Sequence, residues 1–205
     1  MGRLGVLGAL LALLFALAAC GDDSDSGEGS GDAPVERADD PANLPAGWRT
    51  VENQASGFTV GAPPGWSDEP QEGGQGTVLR SPDKLVAVSI SADRSAGALA
   101  LDPEEFASRT AKALASGDGE NGSESPADVE IGPASPVDSP YEGASVAALK
   151  TTSEGHEGIE VAVLRRPEVA VYVLAARGNA DSPSAFADSR TFAEITASLR
   201  GQPPS

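Results

Sequence analysis

Gly158-Ile159-Glu160-Val161-Ala162-Val163-Leu164-Arg165-Arg166 runs into Pro167 and continues as Glu168-Val169-Ala170-Val171-Tyr172-Val173-Leu174-Ala175-Ala176-Arg177. Two runs rich in β-branched residues, separated by a proline, read as two strands joined by a tight turn. In the second run Val169, Val171 and Val173 alternate with Ala170, Tyr172 and Leu174, so both faces are apolar. A strand of that kind belongs at the centre of a sheet covered on both sides. A third run, Ala144 to Thr152, precedes the pair. Short connections among the three favour antiparallel hairpins.

Towards the N-terminus, Trp48-Arg49-Thr50-Val51 and Gly57-Phe58-Thr59-Val60 read as short strands, the second ending at Pro63-Pro64-Gly65-Trp66. Thr77-Val78-Leu79-Arg80 and Leu85 to Ser91 follow, separated by the turn-forming Ser81-Pro82-Asp83-Lys84. Val86, Val88 and Ile90 share the face expected to meet the core. A helix then opens with Asp102 as N-cap, Pro103 in the first helical position and Glu105 completing a capping-box-like pair. Phe106, Thr110, Ala113 and Leu114 form its expected apolar stripe, and Gly117 stops it. Val129-Glu130-Ile131 is a weaker strand. A last helix is expected from Ser182-Pro183, with Phe192, Ile195 and Leu199 on one face before Gly201-Gln202-Pro203-Pro204. The fold class is therefore α+β, with an antiparallel sheet and helices.

The N-terminal end reads differently. Met1-Gly2-Arg3 is followed by an apolar run from Leu4 to Ala16 and then by Leu17-Ala18-Ala19-Cys20. A short basic segment, an apolar segment and small residues ahead of a cut describe a secretory signal over residues 1–19. The run is shorter than the roughly 20 residues that span a bilayer. Leu-Ala-Ala-Cys resembles the bacterial lipobox, and that resemblance implies diacylglyceryl transfer to the Cys20 thiol and cleavage before it. Cys20 is the only cysteine of the 205 residues, so the chain carries no disulfide framework. Residues 20–45 read as an acidic disordered linker: positions 21–45 hold eight acidic residues and one arginine. One folded domain is expected over 46–201, with 202–205 as a tail.

With Gly57-Phe58-Thr59-Val60, Pro63-Pro64-Gly65-Trp66 and Phe192…Ile195…Ser198-Leu199-Arg200, the element order resembles the PsbP-like fold. The lipobox and acidic stalk make the whole similar to the LpqN/LpqT-type lipoproteins of actinobacteria. The resemblance implies an antiparallel sheet between helices, an α/β/α sandwich, in an extracytoplasmic accessory or binding domain, and it implies no catalytic residues or cofactor.

Charge and motifs narrow the chemistry. Fourteen Lys and Arg against 31 Asp and Glu give a formal charge of −17, which removes the basic footprint that nucleic acid requires. No Gly-x-Ser-x-Gly elbow, dinucleotide glycine motif or P-loop lysine occurs. His156, the sole histidine, could join Glu154 and Glu157 on a metal or act as a base; as a hairpin residue without a second histidine it reads as solvated. Asp118, Glu120, Asn121 and Glu124 are a candidate calcium loop, but Gly122 stands where an oxygen ligand is needed. Asp22, Asp23 and Asp25 lack the glycine and terminal glutamate of such a loop. Trp48 and Trp66 either line a groove or seal the ends of a core poor in aromatics. Arg165-Arg166 is expected to end an outer strand. Carboxylate pairs such as Glu104/Glu105 and Asp22/Asp23 would serve a glycosidase only across a cleft.

Three functions follow from this pattern. The preferred one is a non-enzymatic binding or accessory domain, held on the membrane by acylated Cys20, with a protein or small-molecule partner and no cofactor or metal. An envelope hydrolase using paired carboxylates is the alternative. A structural spacer is the third.

Overall fold

A computed structural model describes residues 44–71, 74–116, 128–152, 155–179 and 190–201. The hairpins expected from the central runs form its middle. β8 (Glu142–Thr152), β9 (Gly155–Arg166) and β10 (Ala170–Asn179) pair antiparallel, with Leu164 opposite Gly143 on one side and Tyr172 on the other. β10 also pairs with β5 (Val86–Asp93), matching Tyr172 to Ala92 and Leu174 to Ile90. β4 (Gly76–Arg80) and β3 (Ser67–Pro70) extend the sheet beyond β5, while β6 (Val129–Ile131) and β7 (Ser135–Pro136) pair with β8. β10 is thus interior, as its two apolar faces require.

Each face of this sheet has its own core. On one side Val146, Ala148, Ile159, Val161, Val163, Val171 and Ala175 lie beneath α1 (Ala96–Leu99) and α2 (Pro103–Ser116). The N-cap of α2 is as expected: the Asp102 carboxylate accepts the N–H groups of Glu104 and Glu105 at 2.9 and 3.3 Å. Glu105 pairs forward with Arg109, one turn on, rather than back to the cap. The buried residues of α2 are Pro103, Ala107, Ala111, Leu114 and Ala115, so the expected stripe is rotated: Phe106 and Thr110 are half-buried and Ala113 is exposed. Three alanines form a flat face that lets the helix axis approach the sheet closely, and the bulky Phe106 is displaced to the margin.

The opposite face carries more than a helix. β1 (Arg49–Asn53), β2 (Phe58–Ala62) and β11 (Arg200–Gly201) make a separate three-stranded sheet, and α3 (Arg190–Ser198) packs beside β2. Phe58, Val60, Phe192, Ile195 and Leu199 fill the space between this layer and Leu79, Val88, Ile90, Tyr172 and Leu174 of the large sheet. Phe192, Ile195 and Leu199 are all buried, as their spacing predicts; the expected helix start at Ser182-Pro183 lies outside the described residues. Ser198 joins α3 to β2, its Oγ accepting from Gly61 N at 2.8 Å and donating to Ile195 O at 2.6 Å.

Several boundaries differ from the sequence expectation by a few residues, β8 starting at Glu142 and β9 at Gly155, and two differences have a clear physical cause. β10 begins at Ala170, not Glu168, because Pro167 and Glu168 form the turn: Glu168 has φ 61° and Val169 N donates to Arg166 O at 3.2 Å. Proline second and a left-handed residue third is the type II pattern. Gly201, expected only as a helix stop, also enters a strand, opposite Phe58.

Candidate functional site

The strongest concentration of polar chemistry lies at one end of the three central strands. Asp93 pairs with Val171, and Ala170 pairs with Arg166. One further step of that register brings Arg94, the residue after β5, level with Ala170. Strand alternation puts Arg94, Ala170 and Arg166 on the face shared by Ala92, Tyr172 and Leu164. With strands about 4.8 Å apart, the two arginine backbones stand about 10 Å apart across the small side chain of Ala170.

Both guanidinium groups reach the covering layer and bond to its carbonyls. Arg94 Nη2 donates to Ser56 O at 2.6 Å, and Arg166 Nη1 donates to Gly201 O at 2.7 Å. Ser56 directly precedes Gly57-Phe58, and Gly201 is the register partner of Phe58, so both carbonyls belong to one rim. Arg49, Arg80, Arg109, Arg165, Arg177 and Arg190 have carboxylate partners. Arg94, Arg166 and Arg200 have none among the described residues. All three donate to backbone carbonyls instead, Arg200 to those of Ala197 and Leu199 at 2.8 Å.

Tyr172 lies under this row, fully buried. Its ring meets Phe58 edge-on at 6.4 Å and Tyr141 at 6.0 Å. Tyr141 Oη accepts the Gly201 N–H at 2.8 Å. The Tyr172 hydroxyl has no partner of ordinary hydrogen-bond geometry among the described residues, although Arg166 lies close enough to bond weakly to it. Burial pushes its pKa up and Tyr141 adds to the rise, while Arg166 and Arg94 pull it down. Both guanidinium groups therefore act electrostatically on this hydroxyl. Two arginines and two phenol hydroxyls thus cluster at this end of the sheet, with Tyr172 buried beneath them and Tyr141 engaged with Gly201.

A second buried polar group sits farther along β9. Glu160 is on the same face as Ala162 and Leu164, flanked by Ala147 and Ala176. It is 8 % exposed, its Oε2 has no partner, and burial pushes its pKa up to about 7. Six residues separate it from Arg166, about 20 Å along a strand, so the two features are distinct.

Neither Arg94 nor Glu160 stands out in the sequence. Glu160 carried a signal in parity: a lone acid in an apolar run, in step with the inward Ala162 and Leu164. Arg94 is in step with Val88 and Ile90 but follows the end of the run.

The residues singled out from sequence are not brought together. His156 is exposed, beside Thr151, its Nδ1 3.2 Å from Thr151 Oγ1. Glu157 faces Arg177 at 3.8 Å, and Glu154 lies outside the described residues. Among the described residues no group of three His, Cys, Asp or Glu could hold a metal. Cys20, Asp22, Asp23, Asp25, Asp118, Glu120, Asn121 and Glu124 also lie outside them. Trp48 and Trp66 are partly buried against the core of Val51, Phe58 and Val60. Arg165-Arg166 does not end an outer strand: β9 is interior, between β10 and β8. Its two arginines point to opposite faces, Arg165 pairing with Glu142 and Arg166 joining the cluster. An interior strand tolerates them because both sit at its last turn of pleat, where the charged ends reach the rim.

No protein-family model matches the chain, and no curated protein matches it. Solved structures do. A protein of Bacteroides thetaiotaomicron is similar with a TM-score of 0.49 and 10 % identity, over 76 % of this chain and 49 % of that one; this chain thus spans about half its length. The Ran-binding protein Mog1p of Saccharomyces cerevisiae gives 0.47 and 14 % identity, over 74 % of this chain and 86 % of that one. LpqN of Mycobacterium tuberculosis, described as involved in cell envelope biogenesis, gives 0.45 and 14 % identity, over 76 % of this chain and 91 % of that one. The LpqN-type resemblance expected from the sequence thus meets LpqN among the similar structures, as a likeness of fold.

Proposed function

We propose that the chain is a lipid-anchored cell-envelope lipoprotein whose folded domain is a non-enzymatic binding module on the extracytoplasmic face. The observation that carries this reading is Leu17-Ala18-Ala19-Cys20 behind the apolar run Leu4 to Ala16. No helix among the described residues is long and apolar enough to cross a membrane. Attachment is assigned to acyl chains on Cys20 because the lipobox-like Leu17-Ala18-Ala19-Cys20 places the cysteine at the cut. Such chains contribute about 0.8 kcal/mol per buried CH₂, and two or more anchor stably. Leu44 already packs on the domain at Gly61; as a linker, residues 21–43, with a net charge of −7, would reach roughly 25–30 Å. Their repulsion from anionic headgroups extends them further and holds the domain off the surface.

The binding role draws on the cluster of Arg94, Arg166, Tyr141 and Tyr172 at one end of the central strands. The hydrolase alternative draws on Glu160, whose pKa near 7 is what a general acid needs. Its expected partners do not converge with it: Glu104 and Glu105 start α2, which packs on the other face of the sheet. Fractionation tests the anchor. Wild type is expected in the membrane fraction as a processed form, and Cys20→Ala as soluble or unprocessed protein. A processed, membrane-bound Cys20→Ala chain overturns the reading. Cross-linking in the native membrane tests the binding role, with one reproducible partner expected and bulk envelope material alone counting against it.

A further inference from the structure

We propose that the layer of turns around Trp48 and Trp66 is a docking surface for the lipid bilayer. The inference rests on the lipid-anchored reading and adds a second membrane contact, made by the folded domain itself. Two tetrapeptides of one pattern build the layer: Pro45-Ala46-Gly47-Trp48 and Pro63-Pro64-Gly65-Trp66. Each closes as a turn, Trp48 N donating to Pro45 O at 3.0 Å and Trp66 N to Pro63 O at 3.2 Å. Gly47 at φ 84° and Gly65 at φ 78° take the third position, which is the type II form. The two turns lie side by side, since a Cβ at Gly47 would stand 3.3 Å from Pro64 Cγ. The β4–β5 hairpin joins them: a Cβ at Gly65 would stand 3.2 Å from Pro82 Cγ. Three turns thus present Pro45, Pro64, Pro82 and Leu85 to solvent, with both tryptophans of the chain half-buried beside them. Leu85 is 57 % exposed, the most open large apolar side chain of the described residues.

A lone surface leucine calls for no explanation, whereas a contiguous apolar set marks a contact surface. Where the chain enters the domain decides what that contact is. Leu44 packs with Trp48 over Gly61, where a Cβ would lie 2.6 Å from Leu44 Cδ2 and 3.0 Å from Trp48 Cε3. An anchor at Cys20 therefore leads into this end of the domain. A tether raises the effective concentration of the surface it joins, so a small apolar contact suffices. Tryptophan suits a membrane interface, where its ring is apolar and its N–H stays wet. The charges nearby do not oppose contact. Arg49 is paired with Asp68 and Arg80 with Glu69, and the Asp83 carboxylate accepts the Leu85 N–H at 3.1 Å within its turn. Lys84, exposed beside Leu85, can extend to headgroup phosphates while the leucine lies deeper. Residues 21–43 are repelled by anionic headgroups, so a zwitterionic surface is the one that admits docking.

The test uses the mature chain, purified from its own membrane and reconstituted into phosphatidylcholine vesicles with plain or brominated acyl chains. Bromine quenches tryptophan at short range, and Trp48 and Trp66 are the only two of the chain, so emission reads this layer alone. Lower emission in the brominated vesicles is expected. Leu85→Asp should lower the docking equilibrium roughly tenfold, the worth of one buried leucine. Ile131→Asp is the control: it alters the other exposed large apolar side chain, on β6 at the far edge of the sheet, and should leave the quenching unchanged. Equal emission in both lipids, from chains that float with the vesicles, overturns this proposal and leaves the anchor standing. Chains that do not float overturn the anchor reading and this proposal with it. Quenching that survives Leu85→Asp, or that Ile131→Asp removes equally, also overturns it. Unquenched tryptophans together with loss of a cross-linked protein in Leu85→Asp give the surface to that protein instead, and together with loss of self-association give it to a second copy.

Discussion

A Cβ at position 201 would overlap the hydroxyl oxygen of Tyr172 and lie 2.6 Å from its Cζ. The two-residue strand β11 is therefore pressed directly onto the central strand, and only a glycine fits there. Both backbone polar groups of Gly201 are also held, its N–H by Tyr141 and its carbonyl by Arg166. Gly201→Ala should lose about 1–3 kcal/mol, the usual cost of overpacking a dense core. Urea denaturation measures this, and an unchanged midpoint would show that β11 is not clamped as described.

Ser198 is the hinge pin between α3 and the small sheet. Its Oγ satisfies the buried Gly61 N–H, which has no room for water beneath Leu44 and Trp48, both within reach of a Cβ at that position. Ser198→Ala should cost about 1–3 kcal/mol by leaving that donor unmet. Ser198→Thr, which retains the hydroxyl, should cost less if its methyl is accommodated. Thermal unfolding of the two variants side by side distinguishes a lost hydrogen bond from lost volume.

Glu160 should make stability fall as pH rises. Its folded pKa, about 7, lies above the ordinary 4.5, so between those values the folded state holds a proton that the unfolded state has released. Stability from this group is intact below about pH 4.5, declines through the window and reaches its full loss above about pH 7. That loss is on the order of 3 kcal/mol, since each tenfold change in proton affinity is worth about 1.4 kcal/mol. Glu160→Gln should be more stable than wild type at pH 8 and equal to it at pH 4. Parallel denaturation curves at both pH values check this, and an equal difference at both would assign the effect to packing.

Glu168 adopts φ 61° in the turn between β9 and β10, a conformation that costs a side chain about 1–2 kcal/mol. Glycine removes that strain but loses more entropy on folding. Glu168→Gly should stabilise by a net of about 0.5–1 kcal/mol, readable as a rise in Tm. A fall would show that the Glu168 side chain has a role of its own.

Local signals proved legible where they act locally. The Asp102 cap, the alternation of β10 and the hairpins around it needed only neighbours in the chain, and each is found. The alanine face of α2 reads one position off in the sequence because hydrophobicity favours Phe106, whereas close approach to a sheet favours Ala107 and Ala111. The small sheet is hidden for another reason. β11 is two residues long, and its partner β2 lies some 140 residues earlier, so no periodicity could announce it. The arginine cluster shares that origin: Arg94 and Arg166 meet only through the register of three strands. Glu160 was readable in principle, since its parity with Ala162 and Leu164 places a carboxyl inside the core.

The central claim is that this domain is tethered through an acylated Cys20. Intact mass and fragmentation of the N-terminal peptide of the mature protein, extracted from its own membrane, test it most directly. A chain that begins at Cys20 and carries a diacylglyceryl group on its sulfur is expected. A mature chain that begins elsewhere, or a Cys20 with a free thiol, would contradict it.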